Sequence, residues 1–171
     1  MQFAKDSFFV AMQERLAGLN PKRTVSLNGA TVPAVLVPEN LPPTFSKRQA
    51  NTFYIEWGSA NVVEARTDGV VLMSIDAAIS YFSLGSVASM VDRGRLLAQL
   101  DRELLSICEP SNAEKRDYTQ SPSADLGTRV FWSEPSLKGV AGGKSADGIP
   151  TGASERRAEM RVYFFSEVIP S

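Results

Sequence analysis

Gly142-Gly143-Lys144-Ser145 has the residue types that end a phosphate-binding loop, in which backbone N–H groups and a lysine cradle a nucleotide's phosphates at a helix start. The spacing fails. The glycine required five residues before Gly143 would be position 138, which is Lys138, and Gly139 leaves the loop one residue short. Ala-Asp-Gly-Ile-Pro follows instead of a long amphipathic helix, so the segment reads as a flexible loop and no cofactor is expected. A second chemistry needs paired carboxylates: Glu56, Glu64, Asp68 and Asp76 fall on or between strand-like segments, where two facing acids could move protons or hold Mg²⁺. No spacing singles out a pair, and solvent-facing strand positions account for all four. Glu56 with Asp76 is the pair a small carboxylate-based enzyme or ligand-binding domain would use.

Histidine is absent, which removes the commonest general base near neutral pH, the usual partner of a serine or cysteine nucleophile, and the standard zinc ligand. No Gly-x-Ser-x-Gly elbow occurs. The single cysteine, Cys108, excludes an intramolecular disulfide and a multi-thiolate metal site, and its place at the end of a helical apolar pattern predicts a buried core thiol. These absences point to a protein that is not an enzyme, binds no metal and works by contacting other proteins.

The elements that would position such contacts follow from periodicity. Phe8, Phe9, Met12, Leu16 and Leu19 recur at helical spacing over 6–18, with Asp6 or Ser7 as N-cap. Segments 24–27 and 31–37 flank Asn28-Gly29, a strong hairpin signal. Residues 38–50 hold three prolines and read as a surface loop. Strands are expected at 51–57, at 61–66 as its partner, and at 70–83, with a bulge or bend near 76–78. A second helix, capped by Ser86 or Ser89, runs to about Glu109 with Val87, Met90, Val91, Leu97, Leu100, Leu104 and Cys108 on one face. Residues 111–124 read as a loop. Segments 128–133 and 158–168 read as a strand pair, with Met160, Val162 and Phe164 alternating against Arg161, Tyr163 and Phe165. The connection 134–157 is far longer than a hairpin loop. The expected fold is α+β: one domain over 1–171, a mainly antiparallel β-sheet with two amphipathic helices packed on one face, and long loops at 38–50 and 134–157.

The chain has 171 residues, 43% of them hydrophobic and 22% charged, a globular profile. Eighteen basic against nineteen acidic residues give a net charge of −1, so no global positive field draws the chain onto nucleic acid or an anionic membrane, which leaves room only for a local basic patch. Neither a signal peptide nor a membrane span is expected, which places synthesis and folding in a cytoplasm. Aromatic and basic residues in the loops are the types enriched at protein interfaces, so Phe45, Lys47, Arg48, Lys138, Lys144, Arg156 and Arg157 are the candidate subunit or partner contacts.

An N-terminal amphipathic helix (Phe8-Phe9-Val10-Ala11-Met12) precedes a strand and a proline-rich loop (Val37-Pro38-Glu39-Asn40-Leu41-Pro42-Pro43). The aromatic strand Phe53-Tyr54-Ile55-Glu56-Trp57 comes next, then one long helix, Val87 to Cys108, and finally a hairpin ending Arg161-Val162-Tyr163-Phe164-Phe165. In this order the chain resembles the tail-terminator and head-tail joining (neck) proteins of tailed bacteriophages. The resemblance implies a virion structural protein: a homohexameric ring that caps the tail tube and joins it to the head. Its partners would be the tube protein and head-side connectors, with DNA passing through the lumen without sequence readout. It implies a place in the virion tail or neck, after assembly in the bacterial host cytoplasm. A phage-derived injection device shares the pattern. The Asn28-Gly29 hairpin and the 134–157 loop are additions to it.

Overall fold

The computed structural model describes residues 1–41, 47–65, 69–84, 90–139 and 154–166. Helix α1 spans Gln2–Leu19 and helix α2 Met90–Ile107. The strands are β1 Thr24–Leu27, β2 Ala30–Pro33, β3 Val35–Leu36, β4 Phe53–Ala65, β5 Val71–Ser83, β6 Asn112–Asp117, β7 Ala124–Trp132, β8 Ser136–Gly139 and β9 Ser154–Phe165, with a short 3₁₀ turn at Pro38–Asn40. β1 and β2 form a separate hairpin turned by Asn28 (φ 50°) and Gly29 (φ 83°), the left-handed pair that a two-residue hairpin requires. The main sheet runs β3-β4-β5-β9-β7-β6, and β8 also pairs with β9. β3 is parallel to β4, and every other pairing is antiparallel. The architecture is α+β, with a mostly antiparallel, curled sheet.

Two-residue alternation divides the sheet into a core face and an open face. On the core face of β9, Ala158, Met160, Val162 and Phe164 are buried, and Ile75, Ala77, Ile79 and Tyr81 line the same side of β5. Helix α1 lays Ala4, Phe8, Met12 and Leu16 on this face, four residues apart and each fully buried. Phe8 meets Trp57 and Trp132 edge to face, at 5.7 and 5.4 Å. Helix α2 adds Leu97, Leu100, Leu104, Ile107 and Cys108 to the same cluster. Carbonyls at and just beyond its C-terminal end find donors: Arg15 reaches those of Ile107 and Glu109, and Trp132 Nε1 donates to the Glu109 carbonyl at 3.0 Å. Glu103, 7% exposed, ties α2 to the α1–β1 link by accepting from Arg23 and Asn20.

Several sequence expectations need correction. Helix α1 begins at Gln2, and Ser7 is no N-cap: its hydroxyl donates to the Phe3 carbonyl and accepts from the Arg116 N–H, pinning the helix to β6. Segments 51–57 and 61–66 are not partners, because β4 runs through both and absorbs the interruption at Gly58-Ser59 as a bulge. The bend expected at 76–78 therefore lies in β4, while β5 holds twelve consecutive pairs with β9. Segment 31–37 is split between β2 and β3. Segment 111–124 contains β6, whose charged residues occupy an edge strand, where polarity is no bar to pairing. Val91 is 61% exposed and lies off the apolar face of α2. The 134–157 loop is trimmed at both ends, since β8 and the start of β9 lie inside it. In the 38–50 loop Pro38 begins a 3₁₀ turn, while Pro42 and Pro43 lie outside the described residues. The caps Ser86 and Ser89, Val87, Asp68 and the Gly142–Ser145 segment lie outside the described residues.

Candidate functional site

The open face of the sheet carries charge in register. Tyr54, Ser80, Arg157 and Lys138 stand opposite one another across β4, β5, β9 and β8, and the next row is Glu56, Ala78, Glu159 and Ser136. Beyond the β4 bulge Asp76 faces Arg161, and Ser74 faces Tyr163. All of these residues except Tyr54, Ser80 and Ser74 line a cleft of about 670 Å³.

Opposite charges interleave across it. Arg48 pairs with Glu56, whose other oxygen lies 3.3 Å from Arg157. Arg157 reaches Glu159 at 3.6 Å, and Glu159 also pairs with Lys138. Arg161 Nε donates to Asp76 at 3.0 Å. The Lys138 hydrogen bond, joined by the nearby Arg157, holds the Glu159 carboxyl below the usual carboxylate range. Asp76, in turn, raises Arg161 further above its ordinary value. Gly58 lets β4 come this close, because a Cβ there would stand 3.2 Å from that of Asp76.

A strap, residues 47–51, joins the charged rows through the pairing of Arg48 with Glu56. Arg48 stacks 5.0 Å from the centre of the Tyr54 ring and donates to Ser80 Oγ at 2.6 Å. The Gln49 N–H donates to the Tyr54 hydroxyl, and the Asn51 N–H to the Phe82 carbonyl. Tyr54 is thereby buried, which pushes its phenol above the ordinary value despite the Gln49 bond.

Of the seven candidate contacts, Arg48, Lys138 and Arg157 come together here, joined by Glu56 and Glu159. Arg156 lies beside Arg157 but turns to the other face, 3.7 Å from Asp101, which accepts the Tyr81 hydroxyl at 2.6 Å. Lys47 is exposed at the start of the strap. Phe45 and Lys144 lie outside the described residues. Sequence reasoning put Lys138, Arg156 and Arg157 in a loop, whereas all three are in strands. It passed over Glu159 and Arg161 as contacts. Their signal was the alternation of β9 continued toward its start, which sets Arg157, Glu159 and Arg161 on one face.

Glu56 and Asp76 line the same cleft, and arginines pair with each of them. Among the described residues no cluster of three acidic or thiol side chains could hold a metal ion. No described helix is long and apolar enough to cross a membrane. Cys108 is buried with its sulfur 3.7 Å from that of Met12, and burial pushes the thiol up to about 12. The chain matches no protein-family model and no curated protein.

Proposed function

We propose that this protein is a virion structural protein: a tail-terminator-like ring subunit, without catalytic activity, that caps the tail tube and joins it to the head. The observation that carries this reading is the division of the sheet. One face is closed by two helices, while the other presents an ion-paired cleft beside an exposed strand, from Gly58 to Ala65. A ring subunit needs two different, complementary surfaces. The order of elements that resembles the neck proteins supports it further, as does the near-neutral charge, which suits a conduit for DNA. The partners in this reading are further copies in a hexamer, the tube protein and the head-side connector.

The test is removal of the protein from its native source. Tubes without a capped end and heads left unjoined to tails are expected, and the purified full chain restores joining. Normal particles without it overturn the proposal. The cleft also favours a second reading, a carboxylate-based ligand site using Glu56 and Asp76. Glu56→Gln or Asp76→Asn would then abolish ligand turnover or binding, whereas the structural reading predicts lost assembly.

A further inference from the structure

We propose that the strap opens about Asn51 while the sheet beneath it stays folded, with Arg48 as its latch, and that opening uncovers the Tyr54 and Ser80 hydroxyls at the end of the charged row. The latch goes beyond the ring reading and does not depend on it.

Tyr54 and Ser80 are 1% and 2% exposed, although the next members of their row, Arg157 and Lys138, keep 43% and 57% of their side chains in water. Arg48 and Gln49 stand over the two buried residues. The Arg48 guanidinium lies against the Tyr54 ring and donates to Ser80 Oγ, and the Gln49 N–H donates to the Tyr54 hydroxyl at 2.6 Å.

Few groups hold the strap down. Lys47 and Gln49 are exposed, Arg48 and Ala50 are half-buried, and none of the four belongs to a strand or to the apolar core. A segment with so little buried apolar surface and no strand ladder opens locally, at a fraction of the cost of unfolding the domain. Its base is firmer. The Asn51 N–H donates to the Phe82 carbonyl at 2.8 Å, and the next residues are the buried Thr52 and Phe53, where β4 begins. Asn51 itself takes φ 60°, a left-handed conformation that asparagine tolerates better than most side chains, so the chain turns there.

Arg48 makes three contacts, with the Tyr54 ring, Ser80 Oγ and the Glu56 carboxylate. Gln49 adds only neutral bonds, to the Tyr54 hydroxyl and, at 3.4 Å, to the Ser26 carbonyl. Charge-assisted bonds are the stronger kind, which makes Arg48 the latch. Opening does not strand Glu56, because its other carboxylate oxygen lies 3.3 Å from Arg157. The two hydroxyls left uncovered can each donate and accept, and Ser80 stands opposite Arg157.

Amide hydrogen exchange of the full chain, read residue by residue by NMR, tests the latch. In the unmodified protein the Gln49 amide is expected to exchange well before those of β5. Arg48→Ala should speed Gln49 by about tenfold or more, the factor implied by losing one hydrogen bond from a charged group, and leave β5 unchanged. Hydroxyl-radical footprinting reads the uncovering: Tyr54 should be oxidised several-fold faster in Arg48→Ala, while Tyr81, equally buried on the core face, keeps its rate. A Gln49 amide that exchanges only together with β5, or whose rate Arg48→Ala leaves alone, overturns the latch. So does an acceleration shared equally by Gln49 and β5. Unchanged Tyr54 oxidation overturns the uncovering. Ring formation is read separately, by particle mass, so failure of either idea leaves the other standing.

Discussion

Glu103→Ala tests whether the buried ion pair between α2 and the α1–β1 link is structural in the way the geometry implies. Arg23 grips this carboxylate with two bonds at 2.7 and 2.9 Å, Asn20 adds one at 2.9 Å and Gln99 one at 3.1 Å. Removing one member of a buried pair strands the other and costs about 3–5 kcal/mol. Arg23 keeps 15% of its side chain in water, which favours the lower end, about 3 kcal/mol. At roughly 2–4 °C per kcal/mol for a chain of this size, Tm should fall by about 6–12 °C. Burial raises the Glu103 carboxyl, but the bonds from Arg23, Asn20 and Gln99 outweigh it and hold the folded value below the ordinary one. The stabilisation is therefore present above the unfolded value, near 4.3, and is lost as pH falls through the folded value. Thermal unfolding by circular dichroism at neutral and acid pH measures both effects. A neutral-pH loss under about 2 °C, or a deficit that persists unchanged once the carboxyl is protonated, refutes the reasoning.

Phe8→Ala removes a fully buried ring that touches two tryptophans, and should cost about 3–5 kcal/mol in denaturant unfolding. Gly58→Val pushes against Asp76, so it should lower Tm and weaken assembly together, read by calorimetry and particle mass. Cys108 should resist a chromogenic disulfide reagent in the folded protein at pH 8 and react with one equivalent on denaturation. Hydrogen bonds from the Thr119 and Gln120 side chains and the Thr119 N–H hold the Asp117 carboxyl below its ordinary value. That contribution is present above the unfolded carboxylate value and fades as pH falls through the folded one, so Asp117→Asn should flatten the acid limb of the Tm–pH curve.

Much of the fold was legible because burial imposes periodicity. The four-residue spacing from Phe8 through Met12 to Leu16, the Asn28-Gly29 turn and the alternation of Met160, Val162 and Phe164 each encode a buried face locally. The sequence misled where local composition and tertiary pairing disagree. Asn-Ala-Glu-Lys-Arg-Asp reads as a loop, yet it is β6, held by β7 on one side and by Ser7 of α1 at the Arg116 amide. Segments 51–57 and 61–66 read as two partner strands, yet the Gly58-Ser59 gap between them, opposite Asp76, is a bulge within one strand. The cleft was half legible. Arg48, Lys138 and Arg157 stood out as basic residues, but their meeting depends on β8 and β4 flanking β5 and β9 in one register, a long-range fact that no local pattern carries.

The proposed self-assembly into a ring at the end of a tube is open to negative-stain imaging of the protein, alone and with tube-like particles from its native source. Closed rings, or added density at one end of the tube, are the predicted result. Featureless monomers under both conditions contradict it.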